Sequence, residues 1–287
     1  MRAVIQAGGV GSRLRPYTTV VPKPLMPVGE MPILEIVIRQ LAADGFHDIT
    51  ITVGHLAHLI RAFFGDGSAF GVKIDYVVED KPLGTIGALS RVPGLDRPFL
   101  VMNGDLLTDI EYRRFFEEHL ASGAPMTVAV YNKRVPISLG VIEYDDCHQV
   151  VGFSEKPVKD FWVSMGVYAM SPAMLGQIPR DTHFGFDDLM AKTLREKTPV
   201  RVAPFEGLWL DIGRHEDYEE ATRIFEENWH RFIRGPEADA RDGEIGLVGR
   251  VGQVGQVGRC GGGGGAARAA QGGSGVVHGQ DARATVL

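Results

Sequence analysis

The sequence lacks the features that mark several common classes of protein. Only two of its 287 residues are cysteine, Cys147 and Cys260, and they lie too far apart for a metal-binding or redox motif. This cysteine usage favours a reducing compartment over a disulfide-stabilised secreted domain. No apolar run approaches the roughly 20 residues that a membrane-spanning helix needs. We therefore expect a soluble protein.

Long runs of like charge are also absent. The net charge is −6, and both signs are spread along the chain. Nucleic acid and anionic membrane are therefore not expected as partners, although a local basic pocket for a small anion is compatible with this pattern. The first predicted strand begins near the N-terminus, which leaves no room for a signal peptide. The expected location is the cytoplasm.

Aromatic residues are missing from the C-terminal segment. Residues 235–287 contain 16 of the 37 glycines and no aromatic side chain. This segment therefore has too little apolar surface to offset the entropy lost when a chain becomes ordered. Glycine recurs every third residue from Gly243 to Gly261, so a fragment of hexapeptide β-helix is an alternative, but solenoids need several stacked coils. We predict a globular domain at 1–234 and a disordered, Gly-rich, low-complexity tail at 235–287.

The first half of the globular part alternates between strand and helix patterns. Short β-branched runs predict strands, and apolar positions at helical spacing predict the helices. The predicted strands are 4–6, 49–53, 72–78 and 99–102, and the predicted helices are 33–43, 56–64 and a short one near 84. Repeated units of this length indicate an α/β, Rossmann-like fold with a mostly parallel sheet and helices on both faces.

The second half has shorter links between its strands, which indicates mixed or antiparallel pairing. Its predicted strands are 126–131, 140–144, 150–153, 162–170 and 200–205, and its predicted helices are 172–177, 186–196 and 216–231. This smaller part would form the other wall of a cleft at the carboxyl edge of the sheet, where ligands of such sheets bind.

A glycine-rich loop with fixed cations follows the first predicted strand. The loop, residues 8–13, ends in Arg13, and Lys23 lies between two prolines. A dinucleotide fingerprint would need glycine at Leu14, and a Walker loop would need Gly-Lys-Ser/Thr, so neither motif is present. The loop can bring bare N–H groups to the phosphates of a nucleoside triphosphate, with Arg13 and Lys23 as cations. A glycine-rich turn with surface cations is the plain alternative.

Several short motifs, in order along the chain, resemble the signature of the sugar-1-phosphate nucleotidyltransferases. They are GGVGSRL at 8–14, PKPL at 22–25, PLGT at 82–85, NGD at 103–105, EKP at 155–157 and WLDIG at 209–213. The resemblance covers essentially all of 1–234 and is greatest to the mannose-1-phosphate guanylyltransferase branch, without the C-terminal β-helix that many members carry. It implies transfer of a nucleotidyl group from GTP to mannose 1-phosphate, with release of pyrophosphate.

The resemblance also implies roles for individual residues. Asp105 and Asp211 would hold Mg²⁺, with Asp211 expected to be buried beside Ile212; on its own, Asp105 could equally be a turn residue. The implied catalytic residues are Arg13, Lys23, Asp105, Lys156 and Asp211. The candidate nucleotide-binding residues are Gln6, Ala7, Gly8, Gly9, Gly11, Ser12, Arg13, Glu79, Gly84 and Thr85. The implied sugar-binding residues are Gly140, Glu155, Lys156, Ser164 and Gly166.

Three positions bear on specificity. Glu79 lies where the family recognises the base, and a carboxylate can accept both N1–H and N2–H of guanine, whereas uracil and thymine suit an amide. An exposed charge at a strand end is the plain interpretation of Glu79. Gln6 stands where the family more often has Leu and could contact base or ribose. Ser164 stands where the family commonly has Asn, so the identity of the sugar is open.

Two other functions are compatible with these motifs. One is uridylyl or thymidylyl transfer to another sugar 1-phosphate. The other is a non-catalytic, nucleotide-sugar-binding regulatory subunit, against which the retained cations and acids argue. The expected partners are the two small-molecule substrates, and the oligomeric state, including a homo-oligomer, is open.

The nine histidines show no metal-ligand spacing. His55, His58 and His215 lie near predicted helix starts, and His119 is expected on a polar face. We therefore expect solvent-exposed or capping histidines and no catalytic one.

Overall fold

The computed structural model describes residues 1–233, so the predicted tail at 235–287 and its β-helix alternative lie outside the described residues. The strands are β1 (Arg2–Ala7), β2 (Pro27–Val28), β3 (Met31–Pro32), β4 (Asp48–Val53), β5 (Lys73–Val78), β6 (Phe99–Asn103), β7 (Leu106–Thr108), β8 (Met126–Pro136), β9 (Val141–Tyr144), β10 (Val150–Ser154), β11 (Val158–Met170), β12 (Val200–Phe205) and β13 (Trp209–Asp211). The helices are α1 (Ile33–Ala43), α2 (Ala57–Phe64), α3 (Gly84–Gly87), α4 (Tyr112–Ser122), α5 (Phe186–Arg195) and α6 (His215–Phe232).

A seven-stranded sheet in the order β12-β8-β11-β6-β1-β4-β5 forms the centre of the molecule. Strands β6, β1, β4 and β5 are parallel, while β11 runs antiparallel to both β6 and β8. Strands β9 and β10 form a separate antiparallel hairpin. The predicted α/β, Rossmann-like fold, with a mostly parallel first half and a mixed second half, is confirmed.

Alternating side chains along the strands supply the two sides of the core. One side holds Ile5 and Ile51 with apolar residues of α1, α2 and α4. The opposite side holds Val4 and Val101 with residues of α3 and α5. Because β1 is covered on both sides, its carboxyl end is held rigidly at the sheet edge where the glycine loop begins.

A third apolar cluster lies under α6 and joins the glycine-loop segment to the end of the domain. Leu14 and Ile212 are almost fully buried in it, together with Phe225 of α6. It therefore brings residues some 200 positions apart in the sequence to one side of the cleft. No helix within residues 1–233 is long and apolar enough to cross a lipid bilayer.

Several elements of the described chain were not predicted, among them the short antiparallel pair of β2 and β3. Helix α4 fills the segment after β7, and the short β7 and β13 pair antiparallel as a two-stranded sheet. The expectation for His119 was wrong. This side chain is only 1% exposed, and its Nδ1 lies 2.9 Å from Oγ1 of Thr127 on β8, which covers this face of α4. Burial lowers the pKa of His119.

Candidate active site

The glycine loop is anchored by side chains that lie outside its motif. Gly11 has a left-handed backbone, with φ 64° and ψ 34°. The hydroxyl of Thr18 donates a hydrogen bond of 2.8 Å to the Gly11 carbonyl, and Nε2 of His55 lies 3.2 Å from the Thr18 carbonyl. Thr18 and His55 thus position the loop, a role that no sequence spacing indicated.

A cavity of about 210 Å³ opens beside this loop at the carboxyl end of β1. Lys23 is buried in its wall and forms a short ion pair with the carboxylate of Asp105. A buried cation without a counter-charge would be strongly destabilising, so Asp105 compensates Lys23. The cavity is lined by Gln6, Ala7, Gly9, Gly11, Ser12, Arg13, Lys23, Pro24 and Asp105. Every one of these except Pro24 was a predicted site residue.

The pairing of β7 with β13 places the two predicted metal-binding acids side by side. Leu106 lies opposite Asp211 in this ladder, so Asp105 is one residue from the pairing position. The pKa of Asp211 is raised, first by partial desolvation and then by the negative charge of Asp105, while Lys23 and Arg13 oppose the rise. The four charged groups therefore share one electrostatic environment.

The expectation that Asp211 is buried was wrong. Ile212 is fully buried, but Asp211 is exposed at the end of its three-residue strand, because alternate side chains of a strand face opposite sides. Together with Arg13 it lines a second cavity of about 530 Å³. Residues 1–233 contain no cluster of three or more potential metal ligands. A pair of carboxylates does fit Mg²⁺, which takes one or two carboxylates and completes its shell with phosphates and water.

Glu79 lies at the opposite side of the glycine loop, just after the edge strand β5. Its Oε2 accepts a hydrogen bond of 3.1 Å from the Leu83 N–H. Its Oε1 lies so close to Gly8 that a Cβ there would be 2.2 Å away. Burial raises the pKa of Glu79, opposed by the hydrogen bonds from Leu83 and Thr52. Glu79 is thus a half-buried, positioned carboxylate rather than a free surface charge.

Gly84 and Thr85 hold the segment beside Glu79 against the start of α5. Gly84 has φ +77°, and a Cβ on it would lie 2.7 Å from the Phe184 carbonyl oxygen. The hydroxyl of Thr85 accepts a hydrogen bond of 2.9 Å from the Phe186 N–H. Both residues therefore have a structural reason to be present, in addition to the predicted contact with nucleotide.

The predicted sugar-binding residues of β11 lie next to the end of β6. Gly166 has φ +74°, and a Cβ on it would lie 2.6 Å from the side-chain nitrogen of Asn103. The hydroxyl of Ser164 accepts a hydrogen bond from the Gly166 N–H and donates one to the hydroxyl of Tyr168, both at 3.3 Å. Asn103 and Tyr168 were not among the predicted site residues and are brought here only by strand pairing.

The remaining predicted residues lie on and beside the β9–β10 hairpin. A Cβ on Gly140 would be 3.2 Å from Oε2 of Glu155. Nζ of Lys156 lies 3.9 Å from Oε1 of Glu155, and the two side chains are 68% and 62% exposed. Within residues 1–233, no described contact joins Gly140, Glu155 or Lys156 to Lys23 or Asp105. The structure thus brings Gly140, Glu155 and Lys156 together as a group apart from Lys23 and Asp105.

Comparison with known proteins places this arrangement in a family. The family described as nucleotidyl transferase matches residues 2–228. A UTP–glucose-1-phosphate uridylyltransferase of Synechocystis is 33% identical over 245 residues, which cover 78% of this chain and 63% of the relative. A mannose-1-phosphate guanyltransferase of Aspergillus oryzae is 31% identical over 235 residues, which cover 78% of this chain and 64% of the relative.

A solved structure supports the same assignment of the fold. It is that of a Bacillus anthracis protein provisionally named as a glucose-1-phosphate thymidylyltransferase, in complex with sucrose. It superposes with a TM-score of 0.63 at 26% identity, and the match covers 78% of this chain and 94% of that one. The chain spans less than two thirds of the length of the two curated relatives.

Proposed function

Because the chain belongs to the nucleotidyl transferase family, we propose that it is an enzyme that transfers a guanylyl group from GTP to mannose 1-phosphate and releases pyrophosphate. The observation that carries this proposal is the convergence of Arg13, Lys23 and Asp105 at the cavity beside the glycine loop. Asp211 lies close enough for its pKa to respond to the charges of all three. Two cations beside two acids suit a reaction between two phosphate-bearing anions.

The protein contributes mainly positioning and charge. An oxygen of the sugar 1-phosphate attacks the α-phosphorus of the nucleotide, and the bond from that phosphorus to the bridging oxygen of the leaving pyrophosphate breaks. The N–H groups of residues 8–13 and the guanidinium of Arg13 hold the phosphates in line and stabilise the charge that develops on them. Lys23 can exchange its contact with Asp105 for phosphate oxygens, since both residues line the cavity.

The cofactor of the proposed reaction is Mg²⁺, which Asp105 and Asp211 would hold. When bound, it would supply positive charge that offsets the charge developing on the phosphates and on the leaving pyrophosphate. Desolvation and then the negative charge of Asp105 raise the pKa of Asp211, and a divalent cation held by the two carboxylates would favour their charged forms.

Glu79 supports guanine as the base. Guanine presents two adjacent N–H donors, and each carboxylate oxygen has two lone pairs, so Oε2 can accept from guanine while it accepts from Leu83. Gln6, Ala7, Gly8, Gly9, Gly11, Ser12, Gly84 and Thr85 complete the proposed nucleotide site.

The proposed sugar site has two parts. Ser164 and Gly166 lie on the sheet, and Gly140, Glu155 and Lys156 lie on the hairpin side. Glu155 would accept hydrogen bonds from sugar hydroxyls, and Lys156 would bind the sugar phosphate. The exposure of Glu155 and Lys156 leaves their side chains free to close over a bound sugar.

Uridylyl transfer to glucose 1-phosphate is the second candidate, because the relative that is 33% identical carries that name. A matrix of nucleoside triphosphates and sugar 1-phosphates, with pyrophosphate release measured for each pair, tests both. The highest kcat/KM is expected for GTP with mannose 1-phosphate. A maximum for UTP with glucose 1-phosphate would establish the alternative, and nucleotide-sugar binding without turnover for any pair would indicate a regulatory subunit.

A further inference from the structure

Gln6 lies between the two ends of the proposed nucleotide site. In the sheet it pairs with Thr52 on β4 and with Asn103 on β6. Glu79 follows β5, two strands away on one side, and Asp105 follows β6, the adjacent strand on the other side. Because neighbouring strands are about 4.8 Å apart, Gln6 lies about 10 Å from the strand that presents Glu79 and about 5 Å from the strand that presents Asp105.

The side chain of Gln6 lies on the face of the sheet that α3 covers, and α3 begins with the proposed nucleotide-binding residues Gly84 and Thr85. Side chains alternate along a strand, so Gln6 shares a face with Val4, which packs with residues of α3 and α5. Gln6 also lines the cavity that contains Lys23 and Asp105. A nucleotide with its base at Glu79 and its α-phosphate at Asp105 therefore places its ribose over Gln6.

The amide group of Gln6 is buried without a partner. Neither Nε2 nor Oε1 has a hydrogen bond within residues 1–233, although both atoms are shielded from solvent. Buried amides in folded proteins are nearly always hydrogen-bonded, and leaving one unpaired destabilises the protein. A rotation of this side chain toward a ligand in the adjoining cavity would supply the missing hydrogen bonds.

The chemistry of the amide indicates which part of the nucleotide it binds. An amide has both an acceptor and donors, whereas a phosphate supplies acceptors alone. Two neighbouring hydroxyl groups supply both kinds of partner at the spacing of the amide. Hydroxyls are the polar groups of a nucleotide between base and phosphate, which is where Gln6 lies.

We propose that Gln6 binds the 2′ and 3′ hydroxyls of the nucleotide ribose and selects ribonucleotides over 2′-deoxyribonucleotides. The proposal rests on the proposed function for the position of base and phosphate. Oε1 of Gln6 accepts a hydrogen bond from one hydroxyl, and Nε2 donates one to the oxygen of the other.

The test compares the wild type with Gln6→Leu, which has a similar volume and no amide. Dissociation constants for GTP and 2′-deoxy-GTP, and in parallel for UTP and 2′-deoxy-UTP, are measured by calorimetry with Mg²⁺ present. Gln6→Leu should weaken binding of the ribonucleotide about tenfold and weaken binding of the deoxynucleotide, which keeps only the 3′ hydroxyl, to a smaller extent. The ratio of the two dissociation constants, the ribose ratio, should therefore move toward one. Gln6→Met, which is unbranched, serves the same purpose should the leucine variant not fold.

Gln40→Leu is the matched control. Gln40 is another buried glutamine, whose Nε2 donates a hydrogen bond of 2.8 Å to the Thr108 carbonyl. Its replacement should lower the melting temperature and leave the ribose ratio unchanged. Gln6→Leu should keep or raise the melting temperature of the wild type, because it removes a buried amide that has no hydrogen-bond partner.

Three results would overturn the proposal: equal losses for ribo- and deoxynucleotide, no loss for either, or a changed GTP:UTP ratio with an unchanged ribose ratio. Calorimetry reports binding and needs no transfer reaction. If the ribose ratio changes as expected but no pyrophosphate is released, the proposed function alone is refuted. If no nucleotide binds at all, both the proposed function and the role of Gln6 are refuted.

Discussion

The contact between Gly8 and Glu79 leads to a sharp prediction about base specificity. A Cβ on Gly8 would lie 2.2 Å from Oε1 of Glu79 and 3.0 Å from its carboxyl carbon. Ordinary non-bonded contacts begin at about 3.5 Å, so Gly8→Ala requires the carboxylate to retreat by about 1 Å. The clashing atoms are at the far end of a flexible side chain, so we expect the fold to survive and Glu79 to move.

This movement of the Glu79 carboxylate should lower the specificity for the base more than the overall activity. Glu79 would lose its 3.1 Å bond from Leu83 and its alignment with guanine. Misplacement of a recognition group by about 1 Å can cost up to about 100-fold, so the ratio of kcat/KM for GTP over UTP should fall by between about 10-fold and 100-fold. The assay is pyrophosphate release with saturating sugar 1-phosphate, together with a thermal melt to show that the variant is folded.

Gly9→Ala is the matched control in the same loop, because no atom lies within 4 Å of a Cβ built there. Any loss of activity in this variant should affect GTP and UTP alike, since Glu79 is not disturbed. The reasoning fails if Gly8→Ala keeps the nucleotide ratio of the wild type, or if Gly9→Ala changes that ratio to the same extent.

The charged and buried groups lead to further predictions. Asp105→Asn and Asp211→Asn should each lower kcat by about 100-fold or more, and near-normal turnover would remove the residue from the proposed metal site. Asp211→Asn should keep the melting temperature, whereas Asp105→Asn should lower it because buried Lys23 loses its counter-charge. Asp105→Asn should also lower the pKa of Asp211, because the charge of Asp105 raises it; a carboxyl NMR titration of the metal-free protein checks this, and an unchanged pKa would refute the coupling. The preference for GTP should decline as the pH falls through the raised pKa of Glu79, since a protonated carboxyl cannot accept both guanine donors, and Glu79→Gln should abolish this pH dependence. Thr127→Val should lower the free energy of unfolding by about 1–3 kcal/mol in denaturant titrations by leaving His119 without its partner. Because the pKa of His119 is lowered in the folded protein, the unfolded chain takes up a proton on His119 at a higher pH than the folded protein does. The free energy of unfolding should therefore decrease as the pH falls below about 6.5.

Most secondary-structure elements could be predicted because their signals are local. The strand at 200–205 and the helix at 186–196 agree with β12 and α5 to within a residue. Boundaries were poorer where tertiary packing extends an element. Strands β8 and β11 continue beyond the apolar stretches that predicted them, because each supplies hydrogen bonds to the other along their paired length.

His119 shows how tertiary contacts override a local pattern. Its polarity predicts an exposed face of a helix, but β8 covers that face of α4. The hydrogen bond with Thr127 offsets the free-energy cost of burying the imidazole. Similarly, Thr18 and His55 support the glycine loop from positions outside any motif.

The amino-acid sequence by itself determined the order of strands and helices, the glycine loop and its cations, and their common location at the carboxyl edge of a parallel sheet. These follow from periodicity, glycine content and the rule that parallel strands end at one edge. Only the tertiary structure decided how the site is closed. The pairing of Leu106 with Asp211 joins two three-residue strands about 100 residues apart, which are too short to show a period, and it brings Asp211 beside Asp105. The contact of Glu79 with Gly8 and the unpartnered amide of Gln6 likewise arise from packing between strands, which no local pattern encodes.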